Sequence, residues 1–206
     1  MAFGYPPRSG REDVYEFINM GIKLDILVMA AHPDDAELSC SGTILAAIAQ
    51  GKKVGIVDFT RGELGTRGTP EIRLQESADA SQIMGLHARE NLELADGFFQ
   101  NDETHQKQII SAIRRYQPEI VLCNAPSDRH PDHGRSAKLV ADAAFLSGLR
   151  KIETHSDSIL QEIWKPAYVF HYIQDRYAEP DFIFDISSVF DRKIESIKAY
   201  TTQFNN

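Results

Sequence analysis

The stretch DILVMAAHPDD, residues 25–35, decides the fold prediction. Its first seven residues, 25–31, form a short and nearly continuous apolar run, which is typical of a β-strand buried on both faces. The next four residues, 32–35, place an imidazole and two carboxylates directly behind that strand. The sequence therefore predicts a buried strand whose carboxyl end delivers polar side chains to one edge of a sheet.

Predicted strands and helices alternate along the rest of the chain. Short apolar runs predict further strands over residues 54–59, 91–95, 119–124, 168–173 and 182–186. Helical spacing predicts helices over 37–50, 71–84, 133–146 and 189–200, and one that ends before Pro118. Such alternation favours parallel strands joined by right-handed crossovers. We therefore predict an α/β fold that is Rossmann-like and doubly wound, with a mostly parallel sheet and helices on both faces.

The first and fourth predicted strands, residues 25–31 and 119–124, have a special place in this fold. In doubly wound sheets of the Rossmann type these two strands are neighbours at the topological switch point, where the strand order reverses. Ligands bind in the crevice outside the carboxyl ends of the strands at that point. The order of elements therefore predicts where a binding site lies before any motif is considered.

Chain length and composition limit the number of domains. A chain of 206 residues, of which 42% are hydrophobic, is long enough for one domain with a sizeable core. The first residues include the loop formers Gly4, Pro6, Pro7 and Gly10. We assign residues 1–22 to an N-terminal extension that need not be ordered, and residues 23–206 to a single domain.

The charge of the protein limits its partners. The 22 basic and 30 acidic side chains give a net charge of −8, whereas nucleic-acid binding needs a basic face. The densest apolar run is too short to cross a bilayer, and the first residues contain no apolar signal core. Cys40 and Cys123 do not make a disulfide framework. We therefore expect a cytoplasmic protein that binds neither nucleic acid nor membrane.

Polar side chains follow both strands of the switch point. Residues 31–35 read Ala-His-Pro-Asp-Asp, and residues 129–133, shortly after the fourth strand, read Arg-His-Pro-Asp-His. Together they offer three imidazoles and three carboxylates at one crevice. Zinc binds both groups, and a catalytic zinc site uses three protein ligands and keeps one position for water. By count, either two histidines with one carboxylate or one histidine with two carboxylates complete such a site.

Each motif taken alone has a simpler explanation. Asp35 and Asp132 stand just before predicted helices, where an aspartate often caps the helix N-terminus. The prolines after His32 and His130 keep these histidines extended, which directs the imidazoles out of the strand ends. Because both motifs converge on one crevice, a metal site explains them better than two independent caps.

Motifs for other cofactors and nucleophiles are absent from the sequence. No Gly-x-Gly-x-x-Gly follows the first strand, which argues against a dinucleotide cofactor in spite of the predicted fold. Gly62, Gly65 and Gly68 follow the second strand and lack the Gly-Lys-Ser/Thr of a P-loop. No Gly-x-Ser-x-Gly is present for a serine hydrolase. The two histidine motifs therefore remain the best candidates for chemistry.

The sequence resembles one known family. The segments AHPDDAEL (31–38), SGTI (41–44) and RHPDH (129–133) are similar to motifs of the LmbE/PIG-L family of zinc-dependent N-acetylglucosaminide deacetylases. The resemblance extends from about residue 24 to residue 204 and includes TRGELGTRGTPEIR (60–73) and AYTTQF (199–204). The sequence is most like the bacterial branch that deacetylates N-acetylglucosaminyl-malate in bacillithiol biosynthesis. Relatives usually continue beyond the last segment with a tail that supplies a site tyrosine and subunit contacts.

The resemblance implies a metal site and the residues that form it. It implies one Zn²⁺ per chain bound by His32, Asp35 and His133, although nitrogen and oxygen ligands also accept other divalent metals. It further implies that Asp34 is the general base. This division makes physical sense, because one of two adjacent carboxylates is committed to the metal and the other is free to take a proton.

His130 and Asp132 complete the catalytic residues that the resemblance implies. His130 would act as general acid or stabilise the transition state, and Asp132 would orient its imidazole. In such a reaction the metal polarises the acetamide carbonyl and lowers the pKa of its water to roughly 7. A neighbouring base then contributes on the order of 10²–10⁴-fold in rate.

Two arginines match family positions that line the substrate pocket. Arg73 and Arg129 can each present a planar fork to a carboxylate. For Arg73, which lies in a predicted helix rich in Glu and Arg, an ordinary surface salt bridge is the alternative explanation. Arg129 is the stronger candidate because it adjoins His130.

We therefore expect hydrolysis of the acetamide of an N-acetylglucosaminyl conjugate, with N-acetylglucosaminyl-L-malate as the favoured substrate. One alternative keeps the metal chemistry and changes the substrate to a chitooligosaccharide, an inositol glycoside or a thiol conjugate. Another is a protein that binds sugar or metal without turnover, although mere binding does not need a free carboxylate at Asp34. The expected partners are the small-molecule substrate and further copies of the same chain, in a homo-oligomer.

Overall fold

The computed structural model describes residues 22–204, and its central feature is a five-stranded sheet. In chain order the strands are β1 (Ile26–Ala30), β2 (Val54–Asp58), β3 (Ala88–Asn91), β4 (Ile120–Asn124), β5 (His155–Ser156), β6 (Ile159–Leu160) and β7 (Tyr168–Tyr172). β5 and β6 form a separate two-stranded sheet, and the other five strands form the central one. The helices are α1 (Asp35–Ala49), α2 (Pro70–Met84), α3 (Glu103–Tyr116), α4 (Pro131–Leu146), α5 (Phe190–Lys198) and α6 (Thr201–Phe204). A 3₁₀ helix, Ser187–Val189, precedes α5.

The predicted N-terminal extension, residues 1–22, lies outside the described residues except for Ile22. Ile22 packs against the core cluster that contains Leu24 and Leu27. The division of the chain into an extension and a domain at residues 23–206 stays a prediction.

The order of the strands in the sheet is β3-β2-β1-β4-β7, and every pair is parallel. β1 therefore lies at the centre, between β2 and β4. The carboxyl ends of these strands are level, because Ala30 pairs with Asp58 and Met29 pairs with Cys123. This order confirms the predicted doubly wound α/β fold and the predicted contact between the first and fourth strands.

Helices cover both faces of the sheet. Alternate residues of β1 point to opposite faces, so that Leu27 and Met29 join one core cluster while Val28 and Ala30 join the other. α3 and α4 contribute side chains to the first cluster, and α1 and α2 contribute to the second, with α5 packed on both of them. Burial on two faces is the reason that β1 appears in the sequence as a continuous apolar run.

The prediction of a third strand at residues 91–95 is wrong in position, because β3 covers Ala88–Asn91. Arg89 and Glu90 in its middle are charged, which hides this strand from a hydrophobicity pattern. Arg89 is nevertheless buried, since Asp58 and Glu37 accept hydrogen bonds from its guanidinium. Beyond β3 the chain turns at Glu93, where φ is 53°.

The prediction of a strand at residues 182–186 is also wrong. This segment is largely exposed and pairs with no strand within the described region, and a strand needs a hydrogen-bonded neighbour. The sequence pattern did not indicate the antiparallel hairpin of β5 and β6, because strands of two residues have no visible periodicity.

The helices lie where the sequence predicts them, with shifted ends. α1 begins at Asp35 rather than at residue 37, and α4 begins at Pro131 rather than at residue 133. The last predicted helix, residues 189–200, is interrupted after Lys198 and resumes as the short α6. No helix between residues 22 and 204 is long and apolar enough to span a membrane.

Candidate metal centre and active site

The carboxyl ends of β1 and β4 bring the two histidine motifs together. His32 follows β1, while His130 and His133 lie at the N-terminus of α4, which follows β4. The ring centroid of His32 is 4.6 Å from that of His130 and 5.5 Å from that of His133. The centroids of His130 and His133 are 5.3 Å apart. The structure thus places all three imidazoles in one cluster at the predicted crevice.

Asp35 lies between two of these imidazoles. Its Oδ1 atom is 3.2 Å from Nε2 of His133, and its Oδ2 atom is 3.5 Å from Nδ1 of His32. All three side chains are buried. Two imidazole nitrogens and a carboxylate therefore face one another, which is a set of donor atoms that a divalent metal accepts.

In His32 and His133, the ring nitrogen that faces away from Asp35, here called the outer nitrogen, also lies next to a carboxylate. Nδ1 of His133 is 2.7 Å from Oδ2 of Asp128. Nε2 of His32 is 3.1 Å from Oδ1 of Asp96 and 3.3 Å from Oδ2 of Asp132. Metal-binding histidines usually carry such a partner on the nitrogen that does not bind the metal, because it fixes the tautomer and the ring orientation. The inner nitrogen of each ring is thereby left to face a metal.

Other sets of donor atoms overlap with this one. His32, His130 and His133 each offer one atom, and these atoms lie within 4.8 Å of one another. The same distance limit holds for His32, Asp96 and Asp132. The described residues therefore contain a His/Asp cluster that can bind a metal, with His32 common to each set.

The electrostatics of the cluster favour a cation. Burial by itself lowers the pKa of His32, but hydrogen bonds to Asp132 and two further aspartates outweigh it and raise the pKa to about 12. Burial likewise lowers the pKa of His133, and the hydrogen bond to Asp35 raises it overall. Burial raises the pKa of Asp35, but the two imidazoles hold it well below its usual range. Protons on the imidazoles thus balance the buried carboxylates, and a divalent cation can replace those protons.

Asp34 differs from Asp35 in its backbone and in its partners. Its φ of 108° is positive, which aspartate tolerates better than most residues. It occupies the N-cap position of α1 without a capping hydrogen bond, and its Oδ2 accepts one from Arg73 at 3.1 Å. Burial raises the pKa of Asp34 to about 7, and the charge of Asp35 adds to the rise while that of Arg73 opposes it. A carboxylate with this proton affinity is suited to general base catalysis near neutral pH.

Arg73 is buried and joins two loops. Its Nη2 atom donates to the carbonyl oxygen of Pro33 at 2.5 Å and to Asp34, while Nη1 donates to the carbonyl oxygen of Gly62 at 3.3 Å. A Cβ atom on Gly62 would lie 1.9 Å from Nη1, so only glycine fits beside the guanidinium. Arg73 is therefore no surface salt-bridge residue: it ties the His-Pro-Asp-Asp turn to the Gly-rich loop. Its contact with substrate stays a prediction.

Asp132 and His130 meet differently from what the family resemblance implies. Their hydrogen bond runs from the backbone N–H of Asp132 to Nδ1 of His130 at 3.3 Å, because His130 occupies the N-cap position of α4. The carboxylate of Asp132 accepts from the N–H of Gly97 at 2.8 Å, pairs with Arg135 and lies 3.3 Å from His32. The carboxylate of Asp132 therefore contacts the imidazole of His32, whereas His130 interacts with the backbone N–H of Asp132.

The capping alternative for the two aspartates does not describe the structure. The N-cap positions belong to Asp34 and His130, so Asp35 and Asp132 lie in the first turns of their helices. Both carboxylates instead contact the imidazole of His32. The positions of Asp35 and Asp132 are therefore explained by their contacts with the histidine cluster.

Arg129 is accessible to solvent. Its side chain is 73% exposed, and its Nε atom is 3.6 Å from Oδ1 of Asp175. The chain thus presents a guanidinium next to His130 in sequence. Recognition of substrate by this group stays a prediction.

Some residues of the cluster were not predicted from the sequence, namely Asp96, Asn124, Asp128 and Gln174. Asn124 ends β4 and donates through Nδ2 to Asp35 at 3.1 Å. Gln174 follows β7 and donates through Nε2 to Asp35 at 2.8 Å. Asn124 could have been found from the sequence, because it is a polar residue at the carboxyl end of a strand at the switch point, where ligands bind. Asp96 and Gln174 come from loops after other strands and carry no motif.

Comparison with known proteins identifies relatives of the chain. The profile of the PIG-L family, described as GlcNAc-PI de-N-acetylase, matches residues 27–144, which contain both histidine motifs. Diacetylchitobiose deacetylase of Thermococcus kodakarensis is 28% identical over 191 residues, which cover 87% of this chain and 70% of that protein. A Bacillus cereus protein named "Probable N-acetyl-alpha-D-glucosaminyl L-malate deacetylase 2" is 28% identical over 194 residues, covering 86% and 83%.

A solved structure is similar over most of the chain. The crystal structure of the conserved protein TT1542 from Thermus thermophilus superposes with a TM-score of 0.82 at 40% sequence identity. The match covers 88% of this chain and 80% of that one. The family profile spans more than half of the sequence and includes both strands and both motifs that build the His/Asp cluster. The chain therefore belongs to the PIG-L family, also called LmbE.

Proposed function

We propose that the protein is a zinc-dependent deacetylase that hydrolyses the acetamide of an N-acetylglucosaminyl conjugate and releases acetate. The observation that carries the proposal is the pair of imidazoles around Asp35, each with a carboxylate on its outer nitrogen. Membership of the family and the names of the two deacetylase relatives support the same reaction.

The metal would be held by His32, Asp35 and His133. Buried nitrogen and oxygen donors without sulfur fit zinc, and they also accept iron or manganese. We favour Asp35 over His130 as the third ligand because Nδ1 of His130 already accepts a hydrogen bond from the backbone. The ring proton of neutral His130 then sits on Nε2, which makes that nitrogen a donor. When bound, a divalent ion polarises the acetamide carbonyl and lowers the pKa of a water to roughly 7.

Asp34 would accept the proton of the attacking water. Arg73 holds one carboxylate oxygen, Oδ2, and thereby sets the orientation of the side chain. Since burial raises the pKa of Asp34 to about 7, the carboxylate binds a proton more readily than an exposed aspartate does. Asp34 would then pass this proton towards the leaving amine.

His130 would stabilise the negative charge that develops on the acetamide oxygen. Burial is the main factor that lowers the pKa of His130, which favours the neutral form of its imidazole. Its Nε2–H is then a neutral donor beside the reacting carbonyl, which is the role of an oxyanion-hole group. Asp132 supports this geometry through its backbone N–H and through its contact with His32.

The substrate we propose is N-acetylglucosaminyl-L-malate, and with it a cytoplasmic role in bacillithiol biosynthesis. The Bacillus cereus relative carries that substrate in its name. The Thermococcus kodakarensis relative is named for diacetylchitobiose, so a chitooligosaccharide is the main alternative. The two substrates differ in charge, because malate adds carboxylates to the sugar whereas chitobiose is neutral.

Arg129→Met is expected to separate these substrates. A charge-assisted hydrogen bond contributes about 1.5–3 kcal/mol, and water screens part of it at a side chain that is 73% exposed. We therefore expect kcat/KM for the malate conjugate to fall about tenfold, and much less for a neutral N-acetylglucosaminide. Arg150→Met, at an exposed arginine after α4, is the matched control. An equal fall on both substrates would mean that Arg129 serves the chemistry or the fold.

Acetate release tests the proposed function directly. The protein would be incubated with N-acetylglucosaminyl-L-malate and with diacetylchitobiose, before and after removal of metal by a chelator. We expect acetate from the malate conjugate, no acetate after chelation and recovery when zinc is restored. Release from diacetylchitobiose alone would favour the alternative substrate. Metal binding without acetate from either compound would contradict a deacetylase and favour a binding protein.

A further inference from the structure

The segment AYTTQF, residues 199–204, belongs to the family resemblance but has no part in the proposed reaction so far. In the structure it follows α5 and contains α6. Residues 200–203 reach from there to α1, to α2 and to the Gly-rich loop, residues 61–69. We call residues 200–203 the loop clamp.

The loop clamp is fixed to α1 and α2. The buried Tyr200 donates through its hydroxyl to Oε1 of Glu37 at 3.1 Å. Oε1 of Glu76, also buried, accepts from the N–H of Thr202 at 2.7 Å and from the hydroxyl of Thr201 at 3.0 Å. Oε2 of Glu76 accepts from the hydroxyl of Thr202 at 2.9 Å. Hydrogen bonds to a carboxylate are stronger than those between neutral groups, so Thr202 is held firmly against α2.

The loop clamp also contacts the backbone of the Gly-rich loop. Nε2 of Gln203 donates to the carbonyl oxygen of Arg67 at 2.8 Å, and Nη1 of Arg67 donates to the carbonyl oxygen of Gln203 at 3.2 Å. Gly68, with a φ of 71°, lies next to Thr202, since a Cβ atom on Gly68 would be 2.7 Å from the hydroxyl oxygen of Thr202. The loop therefore packs on the clamp without a side chain between them.

The Gly-rich loop leads from the clamp to the proposed general base. The same Cβ position on Gly68 is 3.6 Å from Cγ of Arg73, so this part of the loop lies between Thr202 and the stem of Arg73. The guanidinium of Arg73 donates to the carbonyl oxygen of Gly62 at 3.3 Å and to Oδ2 of Asp34 at 3.1 Å. A continuous series of contacts therefore joins Thr202 to Asp34.

We propose that Thr202 and Gln203 are positioning residues, which hold the Gly-rich loop against Arg73 and thereby keep Asp34 in the orientation that proton transfer needs. The inference rests on the proposed function, in which Asp34 accepts the proton of the attacking water. A general base must lie within hydrogen-bonding reach of that proton. A misplacement of about 1 Å by a residue far from the chemistry can cost about 10²-fold in rate.

A second anchor separates the loop clamp from the metal centre. The N–H of Leu64 donates to Oδ2 of Asp96 at 2.9 Å, and the N–H of Asp96 donates to Oε1 of Glu63 at 2.9 Å. These bonds tie the first half of the Gly-rich loop to the carboxylate beside His32, and they do not involve the clamp. Release of the clamp should therefore disturb Arg73 while the metal stays bound.

Thr202→Val tests the proposal with the full chain. It removes the hydroxyl that Glu76 binds but keeps the branched shape of the side chain. We expect kcat for acetate release to fall about tenfold, with KM and metal content close to those of the parent. Hydrogen exchange of residues 61–73 should become about two- to tenfold faster, which is the effect of losing one hydrogen bond.

Three further variants keep the test decisive. Thr202→Ser keeps the hydroxyl and should retain the kcat of the parent. Gln203→Leu removes the hydrogen bond to the carbonyl of Arg67 and repeats the test at a second position. Thr154→Val is the matched control, because it removes a buried hydroxyl that accepts from Arg114 at 2.9 Å, outside the loop. It should lower Tm without changing kcat or the exchange of residues 61–73.

Exchange and kinetics together decide the outcome. Unchanged exchange in Thr202→Val would overturn the proposal, whether or not the parent is active. Faster exchange with an unchanged kcat would overturn the positioning role, as would loss of metal or an equal fall of kcat in Thr154→Val. A parent that releases no acetate would refute the proposed function by itself. Faster exchange in Thr202→Val than in Thr154→Val would in that case still support the hold of the clamp on the loop.

Discussion

His133→Ala is expected to leave the protein nearly free of metal and without deacetylase activity. The substitution removes an imidazole whose Nε2 lies 3.2 Å from Oδ1 of Asp35 and whose Nδ1 lies 2.7 Å from Oδ2 of Asp128. Changing a residue that merely orients a metal ligand weakens metal binding about 10–100-fold. Loss of the ligand itself should have a larger effect. Metal analysis of the purified parent and variant measures it, with about one ion per parent chain as the reference.

Two further variants show whether the loss of metal in His133→Ala is due to the loss of a metal ligand. Asp128→Asn keeps the shape of the side chain beside Nδ1 of His133 but removes its charge, so metal affinity should fall about 10–100-fold without vanishing. His105→Ala removes an imidazole of α3 that contacts Asp102, and it should leave metal binding unchanged. If His133→Ala kept the metal content of the parent, His133 would not be a ligand and the assignment would fail.

The location of this site was predictable because both of its determinants are local. The apolar runs of β1 and β4 are visible in the sequence, since strands buried on both faces consist almost entirely of apolar residues. The rule for doubly wound sheets then makes these strands neighbours. The motif that contains His32 follows β1 at once, and the motif that contains His133 begins five residues after the end of β4. No knowledge of long-range contacts was needed to bring the two motifs together.

The carboxylates and amides that support the histidines were not predictable in the same way. Asp96 contacts His32 across 64 residues of sequence, and Gln174 contacts Asp35 across 139. Each arrives on a loop whose path depends on the packing of the whole chain. Arg89 shows the same limit in the core, because its charge indicates a surface residue whereas Asp58, 31 residues away, pairs with it in the interior. A single sequence carries no local signal for such pairs.

Asp34→Asn is expected to keep the metal and to lose most of its turnover. The amide of asparagine cannot accept the proton of the attacking water, so kcat should fall about 10²–10⁴-fold. This corresponds to an increase of about 3–5 kcal/mol in the activation free energy. KM should change little, because the proposed role of Asp34 lies in proton transfer. Steady-state kinetics and metal analysis on the same preparation provide both measurements.

Asparagine is the appropriate substitution because of the backbone at this position. The φ of Asp34 is 108°, and asparagine accepts positive φ values whereas alanine does so at a cost. The amide oxygen of asparagine can still accept the hydrogen bond from Arg73. Thermal unfolding should be compared as well, since the buried guanidinium of Arg73 would lose the charge that opposes it. Asp142→Asn, at an aspartate of α4 that pairs with Lys138, is the control for loss of a carboxylate elsewhere.

The metal content of the variant decides between the two adjacent aspartates. Asp35 is the proposed ligand because it contacts both His32 and His133, whereas the carboxylate of Asp34 pairs with Arg73. Asp35→Asn should therefore lose metal and activity together, while Asp34→Asn should lose activity alone. If Asp34→Asn lost its metal and Asp35→Asn kept it, the roles of the two residues would be reversed. Arg73 would then hold a ligand in place rather than a base.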